Sequence, residues 1–260
     1  MLRVEHFIRF CILSEAKGMI IIMKKRTILL ILLVVFSLTA CSVRKNTETN
    51  ASSSVTQTFN SSAKVSEGSH KVLVVYFSRV GNTDLPEKVD TVSSASLNVV
   101  KDGGVQGNNE IVSKMIQKDL AGSDLFFIQR ADKLKSDKLV SEHSVIDREG
   151  KEEHDANVRP KLATHVKDIA SYDVVVLVYP IWWYDMPIAV YSFLDEYDLS
   201  GKTIVPFCTS GGSGFTKTIE SIGKLEPKAK ILEGLAISQD LPKDTSNDVK
   251  NRLAKLGLIK

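Results

Sequence analysis

Cysteine is scarce in this sequence, since only Cys11, Cys41 and Cys208 occur among 260 residues. This excludes a small fold stapled by disulfides, which requires dense and paired cysteines. The chain also lacks a GxGxxG run after any apolar segment, so the dinucleotide-binding loop of nicotinamide enzymes is excluded. Its five histidines are not spaced as metal ligands, and we expect no metal site.

An excess of charge of one sign is also missing from the body of the chain. Residues 71–260 hold 25 Lys and Arg against 27 Asp and Glu, whereas residues 1–70 hold nine against four. Nucleic-acid binding needs a basic stripe, so we expect no nucleic-acid partner. The body is not acidic enough for strong electrostatic steering of an electron shuttle either.

The positive excess belongs to a targeting segment. Basic residues 24–26 precede an apolar run over residues 28–38, and Leu38-Thr39-Ala40-Cys41 follows. This layout is typical of a secretory signal peptide. Its end resembles a bacterial lipobox, in which Cys41 receives a diacylglyceryl group and becomes the mature N-terminus. Residues 1–22 precede the basic residues, which favours initiation at Met19 or Met23.

A transmembrane anchor is the alternative for this segment. The uncharged run, residues 27–40, is shorter than the roughly 20 residues of a spanning helix, so we expect a signal peptide over residues 1–40. Residues 41–70 are rich in Ser, Thr and Asn, which predicts a flexible tether behind the lipidated Cys41. The expected location is extracytoplasmic, with the chain lipid-anchored to the cell membrane.

Strands and helices are predicted to alternate along residues 71–260. Five apolar, β-branched runs predict strands over residues 71–78, 124–130, 174–180, 203–209 and 230–237. Helical patterns lie between and after them, over residues 109–120, 160–170, 187–197, 215–224 and 245–256. The first and third strand runs are apolar without alternation, which is typical of central parallel strands. This order favours an α/β fold, a doubly wound five-stranded parallel sheet in a three-layer α/β/α sandwich.

Ligands of such folds bind at the carboxyl ends of the strands, so the loops there are the candidate site. The first loop offers hydroxyl and amide side chains, a glycine turn and a positive charge, from Ser78, Arg79, Gly81, Asn82 and Thr83. Converging donors of this kind suit a phosphate, although a plain polar turn has a similar composition. The loop resembles the phosphate loop of flavodoxins, which binds flavin mononucleotide (FMN).

An insertion over residues 84–107 departs from ordinary flavodoxins, in which a helix follows the phosphate loop directly. We predict a small hairpin here, which turns at Lys101-Asp102-Gly103-Gly104. The insertion resembles that of a group of flavodoxin-like proteins, many of them secreted or lipidated. Asn108 and Asn109 then stand at the start of the delayed helix, where the helix dipole favours an anion. Which of residues 78–83 and 107–109 hold the phosphate is left open.

The second loop holds three consecutive aromatic residues and both tryptophans of the chain. Pro180, Ile181, Trp182, Trp183 and Tyr184 follow the third strand run. Three such side chains in a row cannot all enter one core, and an isoalloxazine ring offers a flat face for stacking. A core or oligomer plug is the alternative. The loop resembles the flavin-flanking loop of quinone-reductase-like flavodoxins, with Trp182 and Trp183 as the expected contacts.

The third loop is rich in glycine, which allows close approach of a ligand edge. Thr209, Ser210, Gly211, Gly212 and Gly214 follow the fourth strand run. A simple turn before a helix is the alternative. Members of the flavodoxin family have a glycine-rich loop here, so the resemblance implies hydrogen bonds from its N–H groups to the flavin pyrimidine.

Together the loops resemble those of the flavodoxin family, over residues 71–240 or so. The resemblance implies FMN as cofactor and an oxidoreductase of the NAD(P)H:quinone type, which reduces a quinone-like or envelope-protein acceptor without a catalytic acid–base pair. A non-enzymatic electron carrier and a flavin-free binding module are the alternatives.

Cys208 is expected to be a core thiol. A response-regulator receiver is excluded, because Ser78-Arg79 stands where its acidic cluster would be.

Overall fold

The computed structural model describes residues 63–66, 68–85, 96–99, 104–134 and 151–260. They lie within one compact unit, Val55–Lys260, whereas a second unit, Met1–Ser54, lies outside the described residues. The predicted signal peptide, Cys41, most of the tether and the turn of the insertion hairpin are therefore not among them. Within the described ranges, no helix is long and apolar enough to cross a membrane.

Strands and helices alternate along this part of the chain. The strands are β1 (Val72–Phe77), β2 (Leu97–Val99), β3 (Val105–Gly107), β4 (Asp124–Ile128), β5 (Val174–Pro180), β6 (Thr203–Ser210), β7 (Lys230–Ile231) and β8 (Leu235–Ser238). The helices are α1 (Asn108–Asp119), α2 (Ile188–Glu196), α3 (Thr218–Leu225) and α4 (Thr245–Lys255). Residues 151–155 are also helical, and Ile169–Ser171 form a short 3₁₀ turn.

The main sheet confirms the predicted doubly wound topology. Its order is β4-β1-β5-β6, and both β7 and β8 pair with the far side of β6, so that six strands fill five positions. Every pairing in it is parallel. Strand order therefore reverses between β1 and β5, and the carboxyl ends of these two strands flank the switch point where such folds bind ligands.

Alternate residues of the central strands enter two separate cores. Leu73 and Val75 of β1 pack in the core that includes Phe193 of α2 and Ile222 of α3. Val72 and Val74 pack in the core that includes Val112 of α1 and residues of α4. Because both faces of β1 and β5 are covered, these strands carry apolar residues without alternation. The predicted three layers are confirmed.

The last predicted strand, residues 230–237, is broken into β7 and β8. Thr203 pairs with Lys230, and Phe207 pairs with Leu235. Between these two pairs, the β7–β8 segment therefore contains one residue more than β6 does. Pro206 has no N–H to donate at this point of β6. Gly234 passes so close that a Cβ on it would lie 1.5 Å from the Pro206 carbonyl oxygen. The extra residue is accommodated as a bulge.

The predicted helix over residues 160–170 is wrong. Leu162 instead forms an antiparallel bridge with Arg130, just beyond β4. Thr164 Oγ1 donates to the Phe127 carbonyl at 2.7 Å and accepts the Gln129 N–H at 3.1 Å. These bonds hold the segment extended along an edge strand, where tertiary pairing overrides local helix propensity.

The insertion contains the predicted hairpin, since Leu97–Val99 pair antiparallel with Val105–Gly107. Asp185 stands just before Pro187 in the sequence, which predicts it as a possible N-cap of α2. This prediction is wrong, because Pro187 is the N-cap residue and makes no capping hydrogen bond through its side chain. The Asp185 carboxylate makes other contacts, which are described below.

Candidate functional site

The three candidate loops meet at one edge of the sheet, where hydrogen bonds join the second loop, the third loop and the N-terminus of α1. The Ile181 N–H donates to the Thr209 carbonyl at 2.9 Å, and Thr209 Oγ1 donates to Asn109 Oδ1 at 3.1 Å. Asn108 Nδ2 donates to the carbonyl of Gln239, just beyond β8, at 2.7 Å. The structure thus brings the predicted residues of three distant loops, and of the α1 N-terminus, into one place.

The first loop is a closed turn. The N–H groups of Asn82 and Thr83 both donate to the Arg79 carbonyl, at 3.1 and 3.0 Å. Gly81 has a φ of +91°, and a Cβ there would lie 2.9 Å from the Phe127 ring. Both its conformation and its surroundings therefore require glycine.

The Asn82 side chain stabilises this turn from within. Its Nδ2 donates to the carbonyls of Ser78 and Ile128, at 2.9 Å each. Its Oδ1 accepts the Arg130 N–H at 2.7 Å. Both amide hydrogens and the oxygen are thus engaged by backbone groups. The prediction that the Asn82 side chain donates to a phosphate is therefore wrong, because its amide hydrogens are used to order the turn.

Two buried hydroxyls of the first loop suit an anion. Ser78 and Thr83 are 1% and 3% exposed, and neither hydroxyl has a hydrogen-bond partner among the described residues. Buried polar groups normally find a partner, and leaving one without costs about 1–3 kcal/mol. Arg79, also 1% exposed, adds a permanent positive charge to the same loop. The donor set matches the phosphate of FMN.

The N-terminus of α1 faces the first loop. A Cβ on Gly107 would lie 1.9 Å from Ser78 Oγ, so the helix start and the loop are in direct contact. The N-cap residue is Gly107, which has no side chain to cap the helix, and the Asn108 N–H donates to the Ser96 carbonyl at 2.9 Å. A twelve-residue helix directs its positive dipole end toward this point.

The two tryptophans of the second loop occupy different environments. Trp182 is 6% exposed, meets the Phe77 ring edge-on at 5.4 Å between centroids, and donates its Nε1–H to Ser96 Oγ at 3.3 Å. Trp182 therefore packs as a core residue, which corresponds to the core alternative for this loop and not to the predicted flavin contact. Trp183 and Tyr184 are 42% and 69% exposed, so these are the aromatic side chains that offer surface to a ligand.

Trp183 and Tyr184 form the tip of a tight turn. The N–H of Trp182 donates to the Asp185 carbonyl at 2.7 Å, and the Asp185 N–H donates back at 3.0 Å. Both tip residues have positive φ, +51° and +62°. Large side chains rarely adopt this region, and strain of this kind is concentrated at functional sites. Thr216 Oγ1 from the third loop donates to the Tyr184 carbonyl at 2.5 Å.

The third loop exposes backbone at the same edge. Gly212 and Gly214 have φ of +104° and +66°, and Gly211 and Gly212 are exposed. Ser210 Oγ accepts the Gly214 N–H at 3.2 Å and closes the loop. Cys208 lies behind it as the predicted core thiol, buried, with its pKa raised to about 12 by that burial.

Several residues of this edge had no sequence signal. Ser96 and Gln239 each hold a candidate site residue in place, but no motif identifies them because their partners are far away in sequence. Arg159 and Pro160 line a cavity of about 460 Å³ together with Asp195 and Glu196, and no described residue of the three candidate loops lines this cavity. Arg159 is paired with Asp195 there.

Comparison with known proteins supports the α/β fold described above. The sequence profile of the family Flavodoxin matches residues 104–253, and a search of curated proteins finds no match. A candidate flavoprotein from Bacteroides eggerthii is similar over 73% of this chain and 99% of its own, with 25% identity and a TM-score of 0.51. Another, from Bacteroides uniformis, is 22% identical over 72% of this chain and 99% of its own, with a TM-score of 0.50.

Proposed function

This chain belongs to the flavodoxin family, and from that membership we propose that it is an FMN-dependent redox protein with its flavin at the carboxyl edge of the sheet. FMN is the cofactor of this family. When bound, it passes one or two electrons through its ring, while the protein binds, orients and tunes it. The observation that carries the proposal concerns the buried hydroxyls of Ser78 and Thr83. They lie in the loop that the α1 N-terminus contacts at Ser78, and neither has a hydrogen-bond partner among the described residues.

The phosphate end of the cofactor is assigned to the first loop. Ser78 and Thr83 would donate hydrogen bonds to it, and Arg79 would balance its charge. Gly107 permits the helix start to approach, and the positive end of α1 adds to the attraction. Asn82 orders the turn, whereas Asn108 and Asn109 join the N-terminus of α1 to β6 and to Gln239 beyond β8.

The ring end is assigned to the second and third loops. Trp183 and Tyr184 would hold the ring by stacking, since aromatic stacking adds about 0.5–1.5 kcal/mol beyond area burial. The exposed backbone of Gly211 and Gly212 would supply hydrogen bonds to it. Trp182 supports this arrangement from the core. The remaining predicted residues, Pro180, Ile181, Thr209 and Ser210, supply backbone around the ring.

We propose an oxidoreductase of the NAD(P)H:quinone type as the activity. The exposed aromatic pair supports it, because a flat acceptor stacks on such a surface. An electron carrier to an envelope partner is the second candidate, favoured by the predicted lipid anchor, since nicotinamide nucleotides are scarce outside a cell. Turnover with NADH or NADPH and a quinone distinguishes them. Fast oxidation of the photoreduced protein without nicotinamide-dependent turnover would favour the carrier.

The proposed location is the outer face of the membrane, through a diacylglyceryl group on Cys41. The lipobox-like Leu38-Thr39-Ala40-Cys41 supports this. One acyl chain alone gives marginal binding, whereas two anchor a protein firmly. Mass spectrometry of the N-terminal peptide should show a lipidated Cys41, and Cys41→Ala should release the protein from membranes. An unmodified Cys41 in a membrane-bound protein would contradict the lipidation.

The cofactor assignment is tested by the absorbance spectrum of the purified protein with and without added FMN. A flavin spectrum with quenched fluorescence is expected, and Ser78→Ala/Thr83→Val should weaken binding. A colourless protein that does not bind FMN would contradict the proposal and leave the flavin-free binding module.

A further inference from the structure

The carboxylate of Asp185 is buried directly behind the aromatic turn. The residue is 2% exposed, and its side chain accepts three hydrogen bonds and pairs with one ammonium group. Oδ1 accepts the Met186 N–H at 2.9 Å. Oδ2 accepts the Tyr191 hydroxyl at 2.8 Å and the Ser221 hydroxyl at 3.2 Å. Lys217 Nζ lies 3.4 Å from the same oxygen.

These donors come from three separate elements. Tyr191 lies on α2, Ser221 on α3, and Lys217 in the loop before α3. Burial raises the pKa of Tyr191, and the Asp185 carboxylate raises it further. Tyr191 therefore remains a hydrogen-bond donor at all ordinary pH values. The carboxylate thus joins both helices on one face of the sheet to the second loop.

The backbone of Asp185 closes the turn that its side chain anchors. Its N–H and carbonyl both bond to Trp182, and the two residues between them have positive φ. A non-glycine residue in the left-handed region costs roughly 1–2 kcal/mol. Two adjacent ones persist only where surrounding structure determines their conformation. Trp182 in the core provides one fixed end of the turn, and the Asp185 carboxylate provides the other.

We propose that Asp185 is a positioning residue, which holds Trp183 and Tyr184 in their strained turn and so presents them to the ligand. It acts through the turn and makes no ligand contact of its own. Asparagine does not reproduce these contacts. Its amide nitrogen would face either the Lys217 ammonium or the Met186 N–H, and neither of these groups can accept a hydrogen bond. The expected effect of Asp185 on FMN binding rests on the proposed function, whereas its role in holding the turn does not.

The first test needs no cofactor. The full chain is labelled with 5-fluorotryptophan, and the two fluorine resonances are assigned with a Trp183→Phe variant. Asp185→Asn should shift or broaden the Trp183 resonance and leave that of Trp182 near its original position. Glu226→Gln is the matched control, because Glu226 is also a buried carboxylate, 5% exposed, beyond the end of α3. It should change neither resonance.

The second test is a double-mutant cycle on FMN affinity. Asp185→Asn should weaken FMN binding about tenfold in the natural chain. It should have less than about a twofold effect when Trp183 and Tyr184 are already alanine. Should Asp185→Asn fail to fold, Tyr191→Phe removes a single donor and should shift the Trp183 resonance in the same direction, by less.

The outcomes separate this inference from the proposed function. An unchanged Trp183 resonance in Asp185→Asn, or equal weakening of FMN binding in both backgrounds, would overturn the role of Asp185 and leave FMN binding intact. A natural chain that does not bind FMN would overturn the proposed function. The fluorine spectra would then decide the role of Asp185 by themselves.

Discussion

Gly107 lies against the side chain of Ser78, so that a Cβ on Gly107 would stand 1.9 Å from Ser78 Oγ and 3.0 Å from Ser78 Cβ. Its φ is −75°, which any residue adopts. Glycine is therefore required here for space and not for conformation. The contact joins the end of β1 to the start of α1, across the intervening insertion.

Gly107→Ala should weaken FMN binding at least about tenfold, because the new methyl group displaces the Ser78 hydroxyl and the helix start. Flavin fluorescence titration measures this. Adding Ser78→Ala to Gly107→Ala removes the 1.9 Å contact with Ser78 Oγ and should recover stability in urea without recovering FMN affinity. Unchanged affinity in Gly107→Ala would contradict the assignment of the phosphate to this contact.

Ser78→Ala should affect binding and stability differently. Loss of a hydrogen bond to a charged phosphate costs about 1.5–3 kcal/mol, so FMN affinity should fall about tenfold to a hundredfold. The free protein should be unchanged or slightly more stable, because the hydroxyl has no partner among the described residues. Ser113→Ala is the control, since that buried hydroxyl donates within α1. An equal loss of affinity in both variants would argue against a specific role for Ser78.

Tyr184→Gly should stabilise the free protein by about 1 kcal/mol, because glycine adopts positive φ without strain. Tyr184→Ala removes the same ring but keeps a side chain at a φ of +62°, so it should not gain this stability. Both variants should weaken FMN binding to a similar extent. The free energy of unfolding in urea measures the difference, and equal stability of the two variants would show that Tyr184 is unstrained.

Glu226 should make stability depend on pH. Burial, with Asp198 and Asp195 nearby, raises its pKa from 4.5 to about 7, against a backbone hydrogen bond from Leu199 that lowers it. Between those values the folded protein holds a proton that the unfolded chain has released. Stability contributed by this group should therefore fall as pH rises through that window.

Urea unfolding across this window should show a flatter pH dependence for Glu226→Gln than for the natural chain. Glu220→Gln is the control on α3. Lys224 lowers the pKa of Glu220. The contribution of Glu220 to stability is therefore lost as pH falls and not as pH rises. Identical pH profiles for Glu226→Gln and the natural chain would refute the raised pKa.

Features that depend on neighbouring residues could be predicted from the sequence. The unbroken apolar runs of β1 and β5 predicted two-sided burial, because only a covered parallel strand has no polar face. The strand–helix alternation predicted the doubly wound sheet, and this topology in turn placed three loops at one edge. The hairpin of the insertion was predicted from its glycine turn. The predicted lipidation of Cys41 concerns residues outside the described part.

Tertiary structure decided the features that depend on distant partners. Nothing local distinguishes Trp182 from Trp183, and the buried position of Trp182 results from Phe77 and the distant Ser96. Residues 160–170 have a helical pattern, yet residues 161–164 bond to the residues at the end of β4, an edge strand, and a 3₁₀ turn forms only at Ile169–Ser171.

Asp185 is another residue whose role was decided by distant partners. Its position before Pro187 indicates a helix cap, but in the fold its carboxylate accepts hydrogen bonds from α2 and α3. The alternation of strands and helices and the loop composition were thus determined by the sequence itself. The role of each polar or aromatic side chain was decided by contacts across the sheet, because a buried group is oriented by whichever distant partner satisfies it.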